Sequence, residues 1–174
     1  ASPNMMETLD RYYKEYNVYD IEIISSLGFT SQDIDAIKDT PNIKELIGIK
    51  SIDVLLKNNK TLKVTSLSNI NQVELLEGNM PTQINEILIE EKMAKEQNLK
   101  VGSFLKINDN YLKDKSYEVV GIIKSPLYFS SYRGTTDKGN GELNYYSYVQ
   151  ENAFTIPFFT SVEVTLQNEF QHNS

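Results

Sequence analysis

Cysteine is missing from this chain, and histidine and arginine nearly so: His172 is the single imidazole, and Arg11 and Arg133 are the two guanidinium groups. Without cysteine there is no disulfide framework, no thiolate nucleophile and no thiolate metal site. That absence suits a cytosolic chain and an unstapled extracytoplasmic one equally well. One histidine in a polar tail rules out Ser-His-Asp and Cys-His constellations and a multi-histidine zinc centre. No apolar run approaches the roughly 20 residues that span a bilayer. The opening ASPNMMETLDRYYKEYN is polar and aromatic, not the basic and then apolar pattern of a secretory leader. A start without Met and the ending QNEFQHNS are those expected of a soluble piece cut from something larger. Positive charge is short as well: the formal net charge is −7 and the pI about 4.8, which argues against nucleic acid as a partner.

What is present reads as an ordinary soluble chain, 40% hydrophobic and 24% charged over 174 residues, enough for one domain or two small lobes. Residues 3–16 carry Met5, Met6, Leu9, Tyr12, Tyr13 and Tyr16 at helical spacing. DIEIISSLG follows as a strand. Thr30 stands at an N-cap position with Asp33 three residues on, a shortened capping box, and Ile34 and Ile37 supply the buried face of a helix that must stop before Pro41. Residues 20–50 read strand, helix, strand, with IKELIGIKSIDVLL as the long returning strand, a βαβ-like unit or a split version of one. Thereafter the period shortens to strands: TLKVTSL, VELLEG, EILIEE, FLKIN, YEVVGIIKSP, YYSYVQENAF and SVEVTLQ. Between EILIEE and FLKIN, Met93, Ala94 and Gln97 mark a short helix. Asn98 suits a left-handed C′ position with Leu99 packing back. Gly121, inside a strand, predicts a bulge or a close backbone approach. The class is α+β.

The chemistry-bearing residues do not assemble into an active site. Glu90 and Glu91 are neighbours whose side chains point apart. Asp33, Asp35, Asp109, Asp114 and Asp137 lack the spacing of a calcium loop. Gly134, Gly139 and Gly141 resemble a phosphate cradle only in composition, with no following apolar helix to supply an anion site. We therefore expect no catalytic residue, metal site, nucleotide or other cofactor. The segment SPLYFSSYRGTTDKGNGELNYYSY, residues 125–148, is the unusual one, holding five of the eleven tyrosines and three of the eight glycines. Two readings remain open. In one it is an ordered arm whose glycines shape turns, with Arg133 at its exposed tip. In the other it is a recognition loop offering Tyr128, Tyr132, Arg133 and Tyr145 to a partner.

Three stretches resemble one family. Leu27, Gly28, Phe29, Thr30, Asp33, Ile34, Ala36 and Ile37, with Pro41 and Ile43 beyond, are similar to the opening of the first extracytoplasmic domain in FtsX-like ABC transporter permeases, the class that includes MacB. Asn42 replaces the family's usual glycine there. EILIEEKMAKEQNLKVGSFLKI resembles a second family signature, with Gly102 in place and Ser103 where an Asp is common. VVGIIKSPLYFSSYRGTTDKGNG resembles a segment of large Gram-positive permeases of this group. The resemblance implies a non-enzymatic domain on the extracytoplasmic face of the cell membrane. Its fold would be a MacB-like βα lobe built from both chain ends, 1–57 plus 155–174, with a mostly-β lobe inserted at 58–154. Its partners would be the rest of the permease and its membrane helices, a separate cytoplasmic ATP-binding subunit that does not touch this domain, and an extracytoplasmic protein, peptide or lipid substrate. A stand-alone cell-surface module for peptide or glycan is the competing reading.

Overall fold

The computed structural model describes residues 18–70, 72–125, 127, 128 and 133–167. The amphipathic stretch expected at 3–16, Tyr132 and His172 lie outside them.

Two sheets organise the chain. The smaller has three strands in the order β1 (Ile21–Phe29), β10 (Phe159–Leu166), β2 (Ile43–Ile49). β10 runs antiparallel to both neighbours, so β1 and β2 are parallel to each other with the last strand between them. This is the split βαβ unit expected from the sequence, and it joins the two ends of the described chain, Ile21 standing opposite Val164. Helix α1 (Ser31–Lys38) crosses over between β1 and β2. Its start is the predicted capping box: Asp33 N–H donates to Thr30 Oγ1 at 3.1 Å, and Thr30 N–H donates to Asp33 Oδ2 at 2.8 Å. Ile34 is buried against Val162 and Val164 of the central strand. Gly48 of β2 lets the helix come close, since a Cβ there would stand 2.5 Å from Ile34 Cδ1. Ile37, expected to share that face, is only half-buried. Asn42, in the family's glycine position, has φ 74°, a left-handed conformation that asparagine tolerates better than most residues.

The larger sheet has seven strands: β3 (Ser51–Leu55), β4 (Thr61–Ser66), β9 (Tyr145–Val149), β6 (Glu86–Glu90), β8 (Ser116–Lys124) and β5 (Glu74–Gly78) in that order, with β7 (Phe104–Lys106) also on β8. β4 with β9 and β6 with β8 are parallel pairs; the remainder are antiparallel. Helix α2 (Glu91–Glu96) caps one face, where Met93 joins Leu62, Ile87, Ile89, Val119 and Tyr145 in a fully buried cluster. Each such aliphatic side chain contributes roughly 1.5–3 kcal/mol by leaving water. The helix ends as expected: Asn98 has φ 51°, and Leu99 N–H donates back to the Ala94 carbonyl at 2.9 Å. That is the six-to-one bond of a Schellman cap. Gly121 is a close approach, because a Cβ would lie 2.7 Å from Leu88 Cδ2 and 2.8 Å from the Asn79 carbonyl. The β6–β8 register slips beside it.

In the backbone, the expected long returning strand fails. The strand read as continuous from 43 to 56 breaks at Lys50, and its halves belong to different sheets. Lys50 turns its backbone toward β4, donating to Ser66 Oγ at 3.0 Å and accepting from Ser66 N–H at 2.8 Å. Its neighbours turn the other way: Ser51 N–H donates to Thr160 Oγ1, and Thr160 Oγ1 donates to the Ile49 carbonyl. The hydropathy of IKELIGIKSIDVLL is uninterrupted, so only the partners reveal the hinge. Likewise YYSYVQENAF ends as a strand at Val149 and continues as a 3-10 turn over Glu151–Ala153.

Candidate functional site

β9 divides its tyrosines between the two faces of the larger sheet, as strand alternation requires. Tyr145 faces α2, where its hydroxyl donates to Glu96 Oε1 at 2.8 Å and accepts from Gln97 at 2.9 Å. Tyr146 and Tyr148 face the opposite way, packed with Leu88 and Ile123. On that side Tyr128 stacks on Tyr146 with ring centroids 4.2 Å apart. Tyr148 meets Tyr146 edge-on at 6.2 Å. Both buried hydroxyls are tied to one residue: Ser125 N–H donates to Tyr146 Oη at 2.9 Å, and Ser125 Oγ is 3.1 Å from Tyr148 Oη. Burial pushes the Tyr128 hydroxyl up to about 12 and raises those of Tyr146 and Tyr148 further. All three stay protonated at ordinary pH and serve as hydrogen-bonding groups, not bases.

Arg133 closes this cluster. Its guanidinium grips the Glu90 carboxylate as a fork, Nε 2.9 Å from Oε2 and a terminal nitrogen 2.6 Å from Oε1. Tyr146 N–H adds a third bond to Oε2 at 2.8 Å. The guanidinium carbon also lies 5.2 Å from the Tyr146 ring centre and 5.6 Å from that of Tyr128. Burial opposes the positive charge, but the bonds and charge of Glu90 outweigh it and raise the Arg133 pKa. With side chains 8% and 1% exposed, the pair is internal. This corrects the expectation of Arg133 as an exposed tip. The arm folds back and inserts the side chain beside its own tyrosines, onto the Glu90 carboxylate at the end of an apolar strand.

Beyond Arg133 the arm doubles back through Gly134, Gly139 and Gly141, each with positive φ. A Thr135–Glu142 bridge and a Leu143 N–H to Gly134 carbonyl bond of 3.0 Å hold it closed. It then docks on β4, where Thr61 Oγ1 donates to the Glu142 carbonyl at 2.5 Å. Of the four residues considered for partner contact, the structure brings Tyr128 and Arg133 together, while Tyr145 lies on the far face of the sheet.

Between the two sheets is a cleft of about 640 Å³. The smaller sheet presents Glu22, Ser161 and Glu163 to it, with Tyr19 just before β1. The larger presents Asp53, Lys63 and Tyr148, and Tyr128 closes one side. Lys63 and Asp53 satisfy one another at 2.9 Å. Glu163 is 4% exposed and stands opposite Glu22 in the β1–β10 register. Burial, the charge of Glu22 and a hydrogen bond between the two carboxyls push Glu163 up to about 8. Sequence reading weighed Glu90 only against Glu91, and it missed Glu22 and Glu163. The available signal was a charged residue interrupting or ending an apolar strand, in EILIE and SVEVTL. Among the described residues no group of three or more histidines or carboxylates is arranged to hold a metal ion, and no helix is long and apolar enough to cross a membrane.

At the level of sequence, no family model and no curated protein matches the chain. The fold does have relatives. The extracellular domain of the noncanonic ABC-type transporter YknZ from Gram-positive bacteria superposes with a TM-score of 0.55 at 14% identity, covering 90% of this chain and 84% of that one. The periplasmic region of MacB from Actinobacillus actinomycetemcomitans gives 0.56 at 11% identity, covering 93% and 81%. A domain of a putative permease protein from Porphyromonas gingivalis gives 0.50 at 13%, covering 88% and 76%. The chain has the α+β fold of the extracytoplasmic domains of ABC-type transporter permeases.

Proposed function

We propose that this chain is the non-catalytic extracytoplasmic domain of an FtsX-like ABC transporter permease, coupling motion of the membrane part to an extracytoplasmic substrate or partner. The observation that carries it is the meeting of the two ends of the described residues. β1 and β10 are antiparallel neighbours, and Leu166 N–H donates to Asp20 Oδ2 at 2.7 Å, so the chain enters and leaves the fold side by side. A domain strung between two membrane helices needs that geometry, and the solved relatives share the fold. The two sheets, joined at Lys50 and at Thr160, would be the two lobes that such motion displaces, with the arm, including Tyr128 and Arg133, bracing the inserted one.

The absence of cysteine permits a direct test. Leu27 is 90% exposed on β1, so Leu27→Cys gives this stretch its one thiol, with the unsubstituted parent protein as the labelling control. In intact cells producing the parent protein, a membrane-impermeant maleimide is expected to label it, and the parent is expected to co-purify with an ATP-binding subunit. No labelling until the cells are lysed would overturn the location. Labelling without any associated ATPase would favour the stand-alone surface module instead.

A further inference from the structure

We propose that the seam between β7 and the β3–β4 turn binds an extended, acidic peptide segment of a partner protein. The segment lies as an added strand on β7, with one apolar side chain seated in the cavity there. The site belongs to the larger sheet and α2, so it stands apart from the transporter reading.

The seam follows from topology. β3 ends the larger sheet on one side, and on the other side β7 has only β8 as a neighbour. Yet the sheet curls so far that Leu56, just past β3, and Leu105 of β7 line the same cavity of about 210 Å³. Met93 of α2 and Leu99 of its cap supply the rest of the apolar wall. That volume corresponds to about seven waters of liquid. It falls short of the roughly 300–1,000 Å³ of small-molecule sites. One side chain the size of leucine or phenylalanine suits it; a long acyl tail does not. Asn58 Nδ2 donates to Gln97 Oε1, which ties the β3–β4 turn to the end of α2 and fixes the cavity's shape.

The backbone of β7 is open on its outer side. Val119 N–H donates to the Ser103 carbonyl at 2.8 Å, and Ile107 N–H donates to the Lys115 carbonyl at 3.0 Å. With Leu105 opposite Tyr117, the odd-numbered residues are the ones bonded to β8. Alternation then aims the N–H and C=O of Phe104 and Lys106 away from it, toward an edge that carries no strand among the described residues. A strand added there sets the side chain opposite Leu105 on the same face as Leu105, toward the cavity.

Charge decides what kind of strand. Lys57 and Lys106 stand exposed at the rim. No Asp or Glu lines the cavity among the described residues, although the whole chain carries a net charge of −7. Neither lysine forms an ion pair among the described residues. An edge lysine deters indiscriminate strand pairing, because an approaching neutral or basic strand must desolvate or oppose its charge. Carboxylates on the incoming strand remove that obstacle. The lysines thus select an acidic segment, and the cavity selects its apolar residue.

NMR titration of the whole chain with acetyl-Glu-Glu-Phe-Glu-Glu-amide tests this, beside the same peptide with Ser at its centre and one with Lys for every Glu. Shifts at Met93, Leu105 and Lys106 are expected, with slowed amide exchange at Phe104 and Lys106. Affinity should exceed that of the serine peptide by about tenfold or more, and the lysine peptide should not bind. Lys57→Glu with Lys106→Glu should weaken binding by about tenfold without moving the melting temperature. Lys57→Gln with Lys106→Gln should give a smaller loss, and added salt should weaken binding to the unsubstituted chain. Equal binding of the serine peptide, shifts confined to other surfaces, no shift at millimolar peptide, or indifference to both lysine variants would overturn the proposal. The same shifts with phosphatidylglycerol vesicles and none with peptide would overturn it in favour of lipid. Concentration-dependent shifts there without peptide would overturn it in favour of a second copy of the chain.

Discussion

Among the described residues each sheet buries one glutamate, and the two are treated in opposite ways. Glu90 of the larger sheet is 1% exposed and receives a guanidinium fork, a backbone N–H and two aromatic rings around its partner. Glu163 of the smaller sheet is 4% exposed and faces another carboxyl. A buried charge costs several kcal/mol unless it is paired and hydrogen-bonded. The first site meets that cost with a cation brought in by the arm. The second avoids it by keeping its proton. An ion pair locks structure together and changes little with conditions, whereas an acid pair responds to pH. The arm side of the molecule is accordingly the brace, and the cleft side the responsive one.

Breaking the brace should produce the largest effect. Arg133→Ala leaves Glu90 buried and uncompensated, so a loss of about 3–5 kcal/mol is expected in denaturant unfolding. Adding Glu90→Gln to that variant should recover part of the loss. A change below about 0.5 kcal/mol would return Arg133 to the surface. Next comes the smaller sheet's own core: Ile34→Ala removes the residue that seats α1 on β10 and should cost about 2–5 kcal/mol.

The acid pair predicts a pH effect of definite sign. A carboxyl raised to about 8 in the folded state, against about 4.3 in the unfolded chain, leaves the folded state holding the extra proton between those values. Stability is then greatest at the acid side of that window. It should fall as pH rises to about 8, with a slope of at most about 1.4 kcal/mol per pH unit. Glu163→Gln should flatten the curve, and thermal melts across this range decide it; equal slopes in both proteins would refute the shared proton. The smallest effect should come from the exposed edge. Leu27→Ser, at a position 90% exposed, should stay within about 0.5 kcal/mol, which also makes Leu27→Cys safe as a labelling site.

Much of the local structure was legible in the sequence. Thr30 with Asp33, and Asn98 with Leu99, make bonds to groups at most five residues away, so neighbours alone carry the information. Most strand positions followed from alternation, and the pairing of β1 with β10 agrees with the lobe built from both chain ends that the family resemblance implied. The positive φ values of Gly134, Gly139 and Gly141 also followed, since a side chain is disfavoured there.

The break at Lys50 did not. It depends on Ser66 and Thr160, one on each sheet, and nothing in the apolar pattern records that two partners compete for adjacent residues. Arg133 was misread for the same reason. Its partner lies 43 positions away, and a lone arginine in a glycine- and tyrosine-rich loop has the composition of a surface tip. The sequence by itself determined most of the strands, the two caps and the class of fold. Tertiary structure alone decided which glutamate would meet a cation and which would meet another acid. Propensity and capping act over a few residues through the backbone, but charge compensation in a low-dielectric interior is settled only when distant strands are brought together.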